Sequence, residues 1–411
     1  MRTSLFALSL ALVGCGASLP AAGAPPAALL APTVVAWRSS AFVTSDSSRI
    51  ADLALGGGVH CARSAAGRAL CFGSYTPALA NVVEDVPRPV IAVTAGGQHA
   101  CALLDDRTVR CIGNNEIAQL GAAPSRGARS WTQPSITDVV AIAAGGQHTC
   151  ALDAQRRVWC WGFGMYGAVG APSQRERCIG SSDECFCSST PTLIEGVSDV
   201  ESVHAAGSTS CAVTRDRRVF CWGFNQTGQL GNHSTKPRAT PVEALDARGL
   251  RMLALGSMHA CALMSTGRVA CWGSSLQHRL ARATERWCTI PMLDGPPTPC
   301  DPFAAEIPGL DHVRAIASGD STSCALRDDG TVWCWGVRYG HELAPHGWRA
   351  VGLHRVEAFD GASEVRVGGR VLCARGDGFD WRCVGGGFTS DRVTLDGSIA
   401  ARPLTLAEVS R

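Results

Sequence analysis

Apolar and polar positions alternate along this chain in a unit of two short runs separated by a polar turn. The clearest copy has its runs at residues 148–152 and 158–162. A period of two residues is typical of β-strands, and two such runs joined by a short turn predict a β-hairpin. One face of this hairpin carries Cys, Leu and Val and the other carries Ala and Trp. Since both faces are apolar, each unit needs a neighbour on either side.

Every copy of the hairpin contains two cysteines ten positions apart. Folding the clearest copy about residue 155 places Cys150 opposite Cys160, at a separation that a disulfide tolerates. We therefore predict a cross-strand disulfide in each unit. The seven predicted pairs are Cys61 with Cys71, Cys101 with Cys111, Cys150 with Cys160, Cys211 with Cys221, Cys261 with Cys271, Cys324 with Cys334, and Cys373 with Cys383.

The flanks of the hairpin repeat as well. A β-like run precedes it, as at residues 89–97 and 139–146, and a glycine-rich turn follows it, most completely at 222–232 and partially at 112–121. Seven units over residues 34–411 leave 54 residues for each, enough for a four-stranded blade. Radial stacking covers both faces of every unit, which is the architecture of a β-propeller.

The repeated unit resembles the regulator of chromosome condensation repeat, with its apolar run, Ala-Gly-x-His, Ala-Leu, glycine turn and Trp-Gly-x-Asn … Gly-Gln-Leu-Gly. The resemblance covers about residues 50–411 and implies an all-β, seven-bladed propeller. It weakens at both ends, where Phe72 and Val384 replace the Trp and Arg375 replaces a Leu. Residues 402–406 repeat the phase of 240–244, so we predict that a C-terminal strand closes the ring by completing the blade that begins near Ile50.

The N-terminus carries an export signal. Residues 5–13 are apolar and too few to span a bilayer, and small residues precede Cys15. The segment 1–15 resembles a bacterial lipoprotein signal, which implies lipidation of Cys15; an ordinary signal peptide and secretion is the alternative. Gly16 after the cysteine implies the outer membrane under the sorting rule of such lipoproteins. Residues 16–33, rich in Ala and Pro and uncharged, predict a flexible tether to a propeller at 34–411.

Five further cysteines are consistent with export, because dense cysteines are typical of oxidising compartments. Cys288 and Cys300 share one segment and are expected to pair. Of Cys178, Cys185 and Cys187, one should remain single or pair elsewhere. A zinc site formed by these three thiolates is the sharper alternative.

Three histidines, His99, His148 and His259, occupy one motif position, two before the first cysteine of the pair. Symmetry-related positions are a blade apart and do not converge on one metal or substrate. We interpret them as structural hydrogen-bonding residues.

No catalytic, metal-binding or cofactor motif emerges, so no cofactor and no enzymatic activity is predicted. The net charge is +2, with 37 basic and 35 acidic residues and no basic tail, which argues against nucleic-acid binding. Known members of the family act on a small GTPase and chromatin, but nucleotide exchange would rest on fold analogy alone.

Two function classes remain open. The first is a monomeric, surface-tethered module that binds an envelope or extracellular protein; some secreted bacterial relatives bind and inhibit enzymes, including β-lactamase. The second is a polysaccharide hydrolase or lyase acting at the propeller channel. Segments 171–190 and 281–306 lengthen two units after the glycine-rich turn, so both should leave one face of the disc and mark a binding face. Neutral loop growth is the alternative for these insertions.

Overall fold

The computed structural model describes residues 50–73, 86–171, 176–179, 186–290, 296–339, 348–369, 371–377 and 379–385. These residues form seven antiparallel sheets in chain order. Three sheets have four strands, two have five, and the first and last have three described strands each. The predicted all-β, seven-bladed propeller with a disulfide in each blade is confirmed.

Blades 1 to 3 contain the first twelve strands. Their bounds are β1 (Ile50–Leu55), β2 (Val59–Ser64), β3 (Ala69–Gly73), β4 (Val90–Ala95), β5 (His99–Leu104), β6 (Val109–Asn115), β7 (Ser125–Thr132), β8 (Val139–Ala144), β9 (His148–Asp153), β10 (Val158–Phe163), β11 (Glu176–Arg177) and β12 (Phe186–Leu193).

Blades 4 to 7 contain the remaining strands: β13 (Val200–Ala206), β14 (Thr209–Thr214), β15 (Val219–Gly223), β16 (Arg238–Glu243), β17 (Leu250–Leu255), β18 (His259–Met264), β19 (Val269–Ser274), β20 (Trp287–Cys288), β21 (Thr298–Glu306), β22 (Val313–Ser318), β23 (Thr322–Arg327), β24 (Val332–Tyr339), β25 (Trp348–Arg355), β26 (Ala362–Val367), β27 (Val371–Gly376) and β28 (Phe379–Gly385). The described helices are single 3₁₀ turns, at Met165–Gly167, Leu276–His278 and Glu357–Phe359.

The second and third strands of each blade form the hairpin that the alternating pattern predicts. Cys150 lies directly opposite Cys160, with Leu152 opposite Val158. The cysteines of the other six blades are opposed in the same way. The first strand pairs with the second and packs against the first strands of adjacent blades around the axis.

All seven predicted cross-strand disulfides are formed, each with its Cα atoms 4.1 Å apart. This short separation is the one that direct opposition on antiparallel strands provides. The bonded pairs in blades 1 to 7 are Cys61 with Cys71, Cys101 with Cys111, Cys150 with Cys160, Cys211 with Cys221, Cys261 with Cys271, Cys324 with Cys334, and Cys373 with Cys383.

The hydrophobic core lies between blades rather than within one. Between blades 3 and 4, for example, Leu152 and Val158 pack against Val203 and the indole of Trp222, all of them buried. Each blade therefore buries both of its faces against neighbours, as the two-sided apolar pattern requires. No helix among the described residues is long and apolar enough to cross a membrane.

The ring closes where blade 7 meets blade 1. Ile50, Leu53 and Leu70 of blade 1 pack with Val371 and Trp381 of blade 7, and the Gly369 amide donates to the Gly56 carbonyl oxygen at 3.1 Å. The closing strand predicted at residues 402–406 lies outside the described residues. So do the signal segment 1–15 with Cys15, the tether 16–33, and Cys185.

Candidate functional site: the corner face and its insertions

The connecting segments of the repeat motif lie on one face of the disc, except for the hairpin turn, which lies on the opposite face. In an antiparallel blade, the connection between the first two strands and the end of the third strand lie at the same end of the sheet. The Gly-Gly corner, the Trp-Gly exit and the glycine-rich turn therefore share one face, which we call the corner face. The Phe163 amide donates to the Gln147 carbonyl oxygen of the corner at 3.0 Å, which joins two of these elements directly.

The three motif histidines cross the boundaries between blades beneath this face. Each imidazole meets the hydroxyl of the residue immediately before the first cysteine of the next blade. The Nε2–Oγ distances are 2.8 Å for His99–Thr149, 2.8 Å for His148–Ser210 and 2.7 Å for His259–Ser323. The three histidines therefore form hydrogen bonds between neighbouring blades, which is the structural role that we predicted for them.

The hydroxyl partners fix the protonation of the imidazoles. Thr149 Oγ1 donates its single proton to the Gln119 carbonyl oxygen at 3.0 Å, so it accepts from His99 Nε2. Ser210 acts in the same way toward the Ala168 carbonyl oxygen. His99 is therefore the neutral tautomer with its proton on Nε2. Its Nδ1 is buried without a hydrogen-bond partner, so a second proton there would have no acceptor.

Burial acts in the same direction on the acid–base equilibrium. Removal from water lowers the pKa of His99 to about 3, with a further contribution from nearby His148. Burial also lowers the pKa of His148 to about 4 and that of His259 to about 3, the latter also through the positive charge of Arg279. These imidazoles stay neutral under ordinary conditions and do not act as acid–base catalysts near neutral pH.

Each histidine lies over a glycine three residues earlier. A Cβ at Gly145 would stand 2.2 Å from His148 Cε1, and the corresponding distances are 2.5 Å at Gly96 and 2.1 Å at Gly256. In blade 4, where Thr209 replaces the histidine, the equivalent position is Ala206. The same glycine occurs in blades 1, 6 and 7, which lack the histidine, and there a Cβ would meet the next blade, at 2.2 Å from Gly96 O for Gly56 and 2.0 Å from Gly368 O for Gly319. The glycine therefore makes room for the neighbouring backbone as well as for the imidazole.

Buried tryptophans make a second bond across the same boundaries. The indole Nε1 donates to a main-chain oxygen in the glycine-rich turn of the preceding blade. The distances are 3.1 Å for Trp161–Gln119, 3.0 Å for Trp222–Ala168, 2.9 Å for Trp272–Gln229 and 2.9 Å for Trp335–Arg279. This bond explains why Trp follows the second cysteine in blades 3 to 6.

The corner residues form a ring around the axis at the channel mouth. They occupy the position four before the first cysteine of each pair: Gly57, Gly97, Gly146, Gly207, Ser257, Asp320 and Gly369. Amide bonds run from blade to blade along this ring, from Gly97 N to Gly146 O at 2.9 Å and from Gly146 N to Gly207 O at 2.7 Å. Backbone atoms therefore line most of the mouth.

Asp320 is the one charged side chain in this ring. Ser257 Oγ donates to Asp320 Oδ1 at 2.7 Å. A Cβ at Gly369 would stand 2.8 Å from Asp320 Oδ2, and one at Gly57 would stand 3.1 Å from it. The carboxylate thus reaches beyond blade 7 to blade 1 and narrows the mouth. Glycoside hydrolysis requires a pair of carboxylates flanking a bound sugar, which this ring does not supply.

Two other carboxylates approach each other at the boundary of blades 7 and 1, but arginines bridge them. Arg366 Nη2 lies 3.2 Å from Asp52 Oδ1 and also bonds Glu364. Glu364 is bonded in addition by Arg375, whose guanidinium stacks over Trp381 with 5.0 Å to the ring centroid. The cluster is an ion-pair network that holds two blades together. The sequence shows Arg375 only as a departure from the usual Leu, and Arg366 lies outside the motif, so the repeat pattern did not predict their ion pairs.

The first insertion packs onto blade 2. Cys178 is bonded to Cys187 of β12, and the pair packs against Ala118 of blade 2 and Phe163 of blade 3. The Ile179 amide donates to a blade 2 carbonyl oxygen. Because two of the three sulfurs are bonded to each other, the zinc alternative for Cys178, Cys185 and Cys187 is wrong. Within the described ranges no group of three or more His, Cys, Asp or Glu side chains is placed to hold a metal ion.

The second insertion extends over blade 4. The predicted pair of Cys288 with Cys300 is bonded, with Cα atoms 5.8 Å apart. Beyond it, buried Ile290 packs against Phe224 of blade 4 and Met258 of blade 5, with Tyr166 of blade 3 at the edge of this cluster.

A single 3₁₀ turn, Met165–Gly167, connects the two insertions. Met165 packs against the cluster that contains Cys178, and its neighbour Tyr166 packs against the cluster that contains Ile290. The Tyr166 ring also meets Phe224 edge-on, with centroids 4.9 Å apart. The described residues of the two insertions, 176–179 and 283–290, are therefore connected over blades 2 to 5 of the corner face, and we call this surface the insertion surface.

The predicted bounds of both insertions are too wide. β12 pairs with β10 and β21 pairs with β19, as the fourth strands of blades 2, 4 and 6 do. Most of β12 and all of β21 are thus ordinary blade strands inside the predicted segments 171–190 and 281–306. The added elements are the short strands β11 and β20 with their flanking residues. The sequence alone could not separate them, because each added strand directly precedes its blade strand in the chain.

Comparison with known proteins identifies the repeat. Models of the regulator of chromosome condensation (RCC1) repeat match residues 90–116, 139–167 and 313–337, and a second model of the same repeat matches 157–213 and 216–263. Together they span parts of blades 2 to 6, where the histidine and tryptophan bonds occur.

Similar proteins share this repeat over part of their length. The Ultraviolet-B receptor UVR8 of Arabidopsis thaliana is 32% identical over 202 residues, which are 47% of this chain and 43% of that protein. Human E3 ubiquitin-protein ligase HERC2 is 33% identical over 141 residues, 33% of this chain and 3% of that protein. The chain spans less than half the length of the curated relatives it matches.

Solved structures share the fold at lower sequence identity. Prp20p, the RCC1 of Saccharomyces cerevisiae, has a TM-score of 0.63 at 18% identity, covering 87% of this chain and 83% of its own. Human WBSCR16 has a TM-score of 0.63 at 21% identity, covering 78% of this chain and 85% of its own. This chain is accordingly a seven-bladed β-propeller in which RCC1 repeats are matched in parts of blades 2 to 6.

Proposed function

We propose that the protein is a non-catalytic interaction module that binds a protein of the cell envelope or its surroundings through the insertion surface. The observation that carries this proposal is the convergence of both insertions on one face, each fastened by its own disulfide and joined through Met165 and Tyr166. Insertions on one face of a repeat protein commonly form its binding face. Disulfides keep such loops ordered before binding, which reduces the entropy lost on association.

The chemistry of the described channel favours binding over catalysis. Asp320 stands alone in the ring at the mouth, and Asp52 and Glu364 are occupied by arginines. The buried histidines are neutral and already bonded to hydroxyls. Relatives with this repeat include a light receptor and ubiquitin ligases, and a solved relative is bound to Kap60. These are regulatory or protein-binding settings, in line with an interaction module.

Export through the signal segment and anchoring through Cys15 complete the proposal. The nine disulfides of the described chain agree with an oxidising compartment. We expect Cys15→Ser to move the full-length protein from the membrane fraction to the soluble fraction and to abolish incorporation of labelled fatty acid. Unchanged fractionation and labelling would contradict the anchor.

The binding face is tested by trimming the insertions without removing a blade strand. In the trimmed variant, residues 172–185 and 283–297 are each replaced by the blade 4 loop 232–237, and the orphaned Cys187 and Cys300 become alanine. This design retains β12, β21 and the Arg282–Asp301 ion pair.

The trimmed variant should fold with nearly the native melting temperature and lose the protein partner that the full chain captures from envelope extract under cross-linking. A matched control, Arg215→Ala with Arg217→Ala on the exposed hairpin turn of the opposite face, should capture it unchanged. Equal capture by the native and trimmed chains would refute a role for the insertion surface.

A further inference from the structure

The most exposed large apolar side chain recorded for the described chain is Trp287, with 65% of its surface accessible. It lies on β20, the outer edge strand that the second insertion adds to blade 5. Exposure of this size is unusual for an indole, which normally buries most of its area. The exposed indole contributes little to the stability of the fold and is accessible for binding.

Strand pairing, a disulfide and a main-chain hydrogen bond fix the backbone around Trp287. Trp287 pairs with Pro299 and Cys288 pairs with Thr298 across the short ladder, and Cys288 is bonded to Cys300. The Cys300 amide donates to the Arg286 carbonyl oxygen at 3.1 Å. The indole is exposed on a rigid support.

The neighbouring guanidinium is also positioned in advance. Arg286 stacks over Phe303, with 4.4 Å between the guanidinium carbon and the ring centroid, and its Nη1 lies 3.5 Å from Asp301 Oδ1. The imidazole of His233 also packs against the Phe303 ring, with 4.2 Å between the two centroids. We call Arg286, Trp287 and Phe303 the Trp287 patch.

The exposed charge of this patch is positive. Asp301 is only 8% exposed and is neutralised by Arg282 at 2.9 Å, whereas the Arg286 side chain remains 56% exposed. The adjacent part of blade 4 adds two exposed cations, Lys236 of the loop 232–237 and Arg238, the first residue of β16. Two exposed carboxylates of the described chain lie near them: Glu285, and Asp246, whose Oδ2 is 2.6 Å from His233 Nε2. The three exposed cations Arg286, Lys236 and Arg238 outnumber these carboxylates.

We propose that the Trp287 patch is the anchor of the binding face, and that its partner is an acidic protein surface with an apolar pocket that accepts the indole. Trp and Arg are the side chains that most often dominate the binding free energy of protein interfaces, particularly when they are rigid before binding. Carboxylates around the pocket pair with Arg286, Lys236 and Arg238 and increase the rate of association. This inference rests on the proposed function and names the partner chemistry of that surface.

The test uses the native full-length chain and a phage-displayed library of cyclic peptides. The selected peptides should be enriched in Asp and Glu around an apolar residue. Trp287→Ala should weaken binding of a synthetic selected peptide by about 30-fold, corresponding to a hot-spot residue, and Arg286→Ala should weaken it several-fold with a smaller dependence on salt. Ile91→Ala, which changes an apolar side chain of 48% exposure on blade 2, is the matched control and should leave the affinity unchanged.

The outcomes separate the patch from the wider proposal. Peptides that lose binding to the trimmed variant but bind Trp287→Ala as the native chain would overturn the patch and leave the insertion surface intact. Peptides that bind the trimmed variant normally would overturn both. A library that yields only basic peptides, or no binder, would overturn the proposed acidic partner. Because Trp287 is exposed, its substitution should not alter the melting temperature, so a loss of affinity is not attributable to unfolding.

Discussion

Among single residues, the histidines show how a repeat motif can look catalytic and be structural. A lone His in a Gly-x-x-His motif could suggest chemistry, but here each imidazole is neutral, buried and bonded to the next blade. The underlying glycine provides the space, since a methyl group at Gly145 would overlap the His148 ring. The glycine and the histidine of the motif are therefore in direct contact in these blades.

The histidines predict a pH dependence of stability. Their pKa is about 6.5 in the unfolded chain and about 3 to 4 in the folded one, so between these values the unfolded state binds more protons. The free energy of unfolding should thus fall as the pH drops from about 6.5 toward about 4, and should be independent of these groups above about pH 7.5. Urea unfolding at about pH 7.5 and about pH 5 measures the difference.

A variant identifies the source of this effect. His148→Gln keeps a side-chain donor toward Ser210 and cannot be protonated, so it should lower stability near neutral pH but reduce the further loss on acidification. His354→Gln, at an imidazole of blade 6 that is only partly buried, serves as the control. A pH dependence identical in His148→Gln and the native chain would exclude this histidine as a contributor.

Among the structural elements, the hairpin with its disulfide is the unit of the fold. The pattern of alternation determines which residues face each other, and the cysteines lie at directly opposed positions. All fourteen of these cysteines except Cys383 are buried. The bonds are accordingly shielded from solvent by neighbouring blades, so a reductant reaches them only when the blade opens.

Removal of one central disulfide should therefore destabilise the propeller. Cys150→Ala with Cys160→Ala opens a loop for which the chain-entropy model gives about 3 kcal/mol. A shift of the urea midpoint without a change in strand content measures it. The same substitution at Cys288 and Cys300 should shift the midpoint less, although its loop is as long, because that bond fastens the two-residue edge strand β20, which can detach without unfolding a blade hairpin. Equal midpoints for the native chain and the variant lacking Cys150 and Cys160 would show that the bond contributes nothing to stability.

In the molecule as a whole, the ring needs a closing interface that differs from the others. The tryptophan after the second cysteine is absent from blades 1, 2 and 7, where Phe72, Ile112 and Val384 replace it. The boundary of blades 7 and 1 differs from the others in its cluster of Arg366, Arg375 and Trp381. Arg366 contacts carboxylates on both blades, Asp52 and Glu364. Loss of this arginine removes the ion-pair partner of Asp52, whereas Glu364 keeps its bond to Arg375.

Arg366→Ala should lower the free energy of unfolding by about 1–2 kcal/mol and speed hydrogen exchange first in β1 and β26, because the network is partly buried and shared. Arg355→Ala, which breaks an exposed pair with Asp360, should change stability by less than about 1 kcal/mol. Uniform exchange across all blades in Arg366→Ala would show that closure does not depend on this network.

The blade count, the hairpins, their register and the seven cysteine pairs all follow from the amino-acid sequence, because a period of two and a spacing of ten residues are local properties that repetition reinforces. The placement of both insertions on one face follows from it too. The folded chain was needed to establish what each motif residue bonds across the blade boundary, where the insertions begin and end, and that Arg366 and Trp381 close the ring. Those contacts join residues from different blades, or from opposite ends of the chain as Arg366 and Asp52 do. The periodicity within one repeat does not predict which residues of different blades will be in contact.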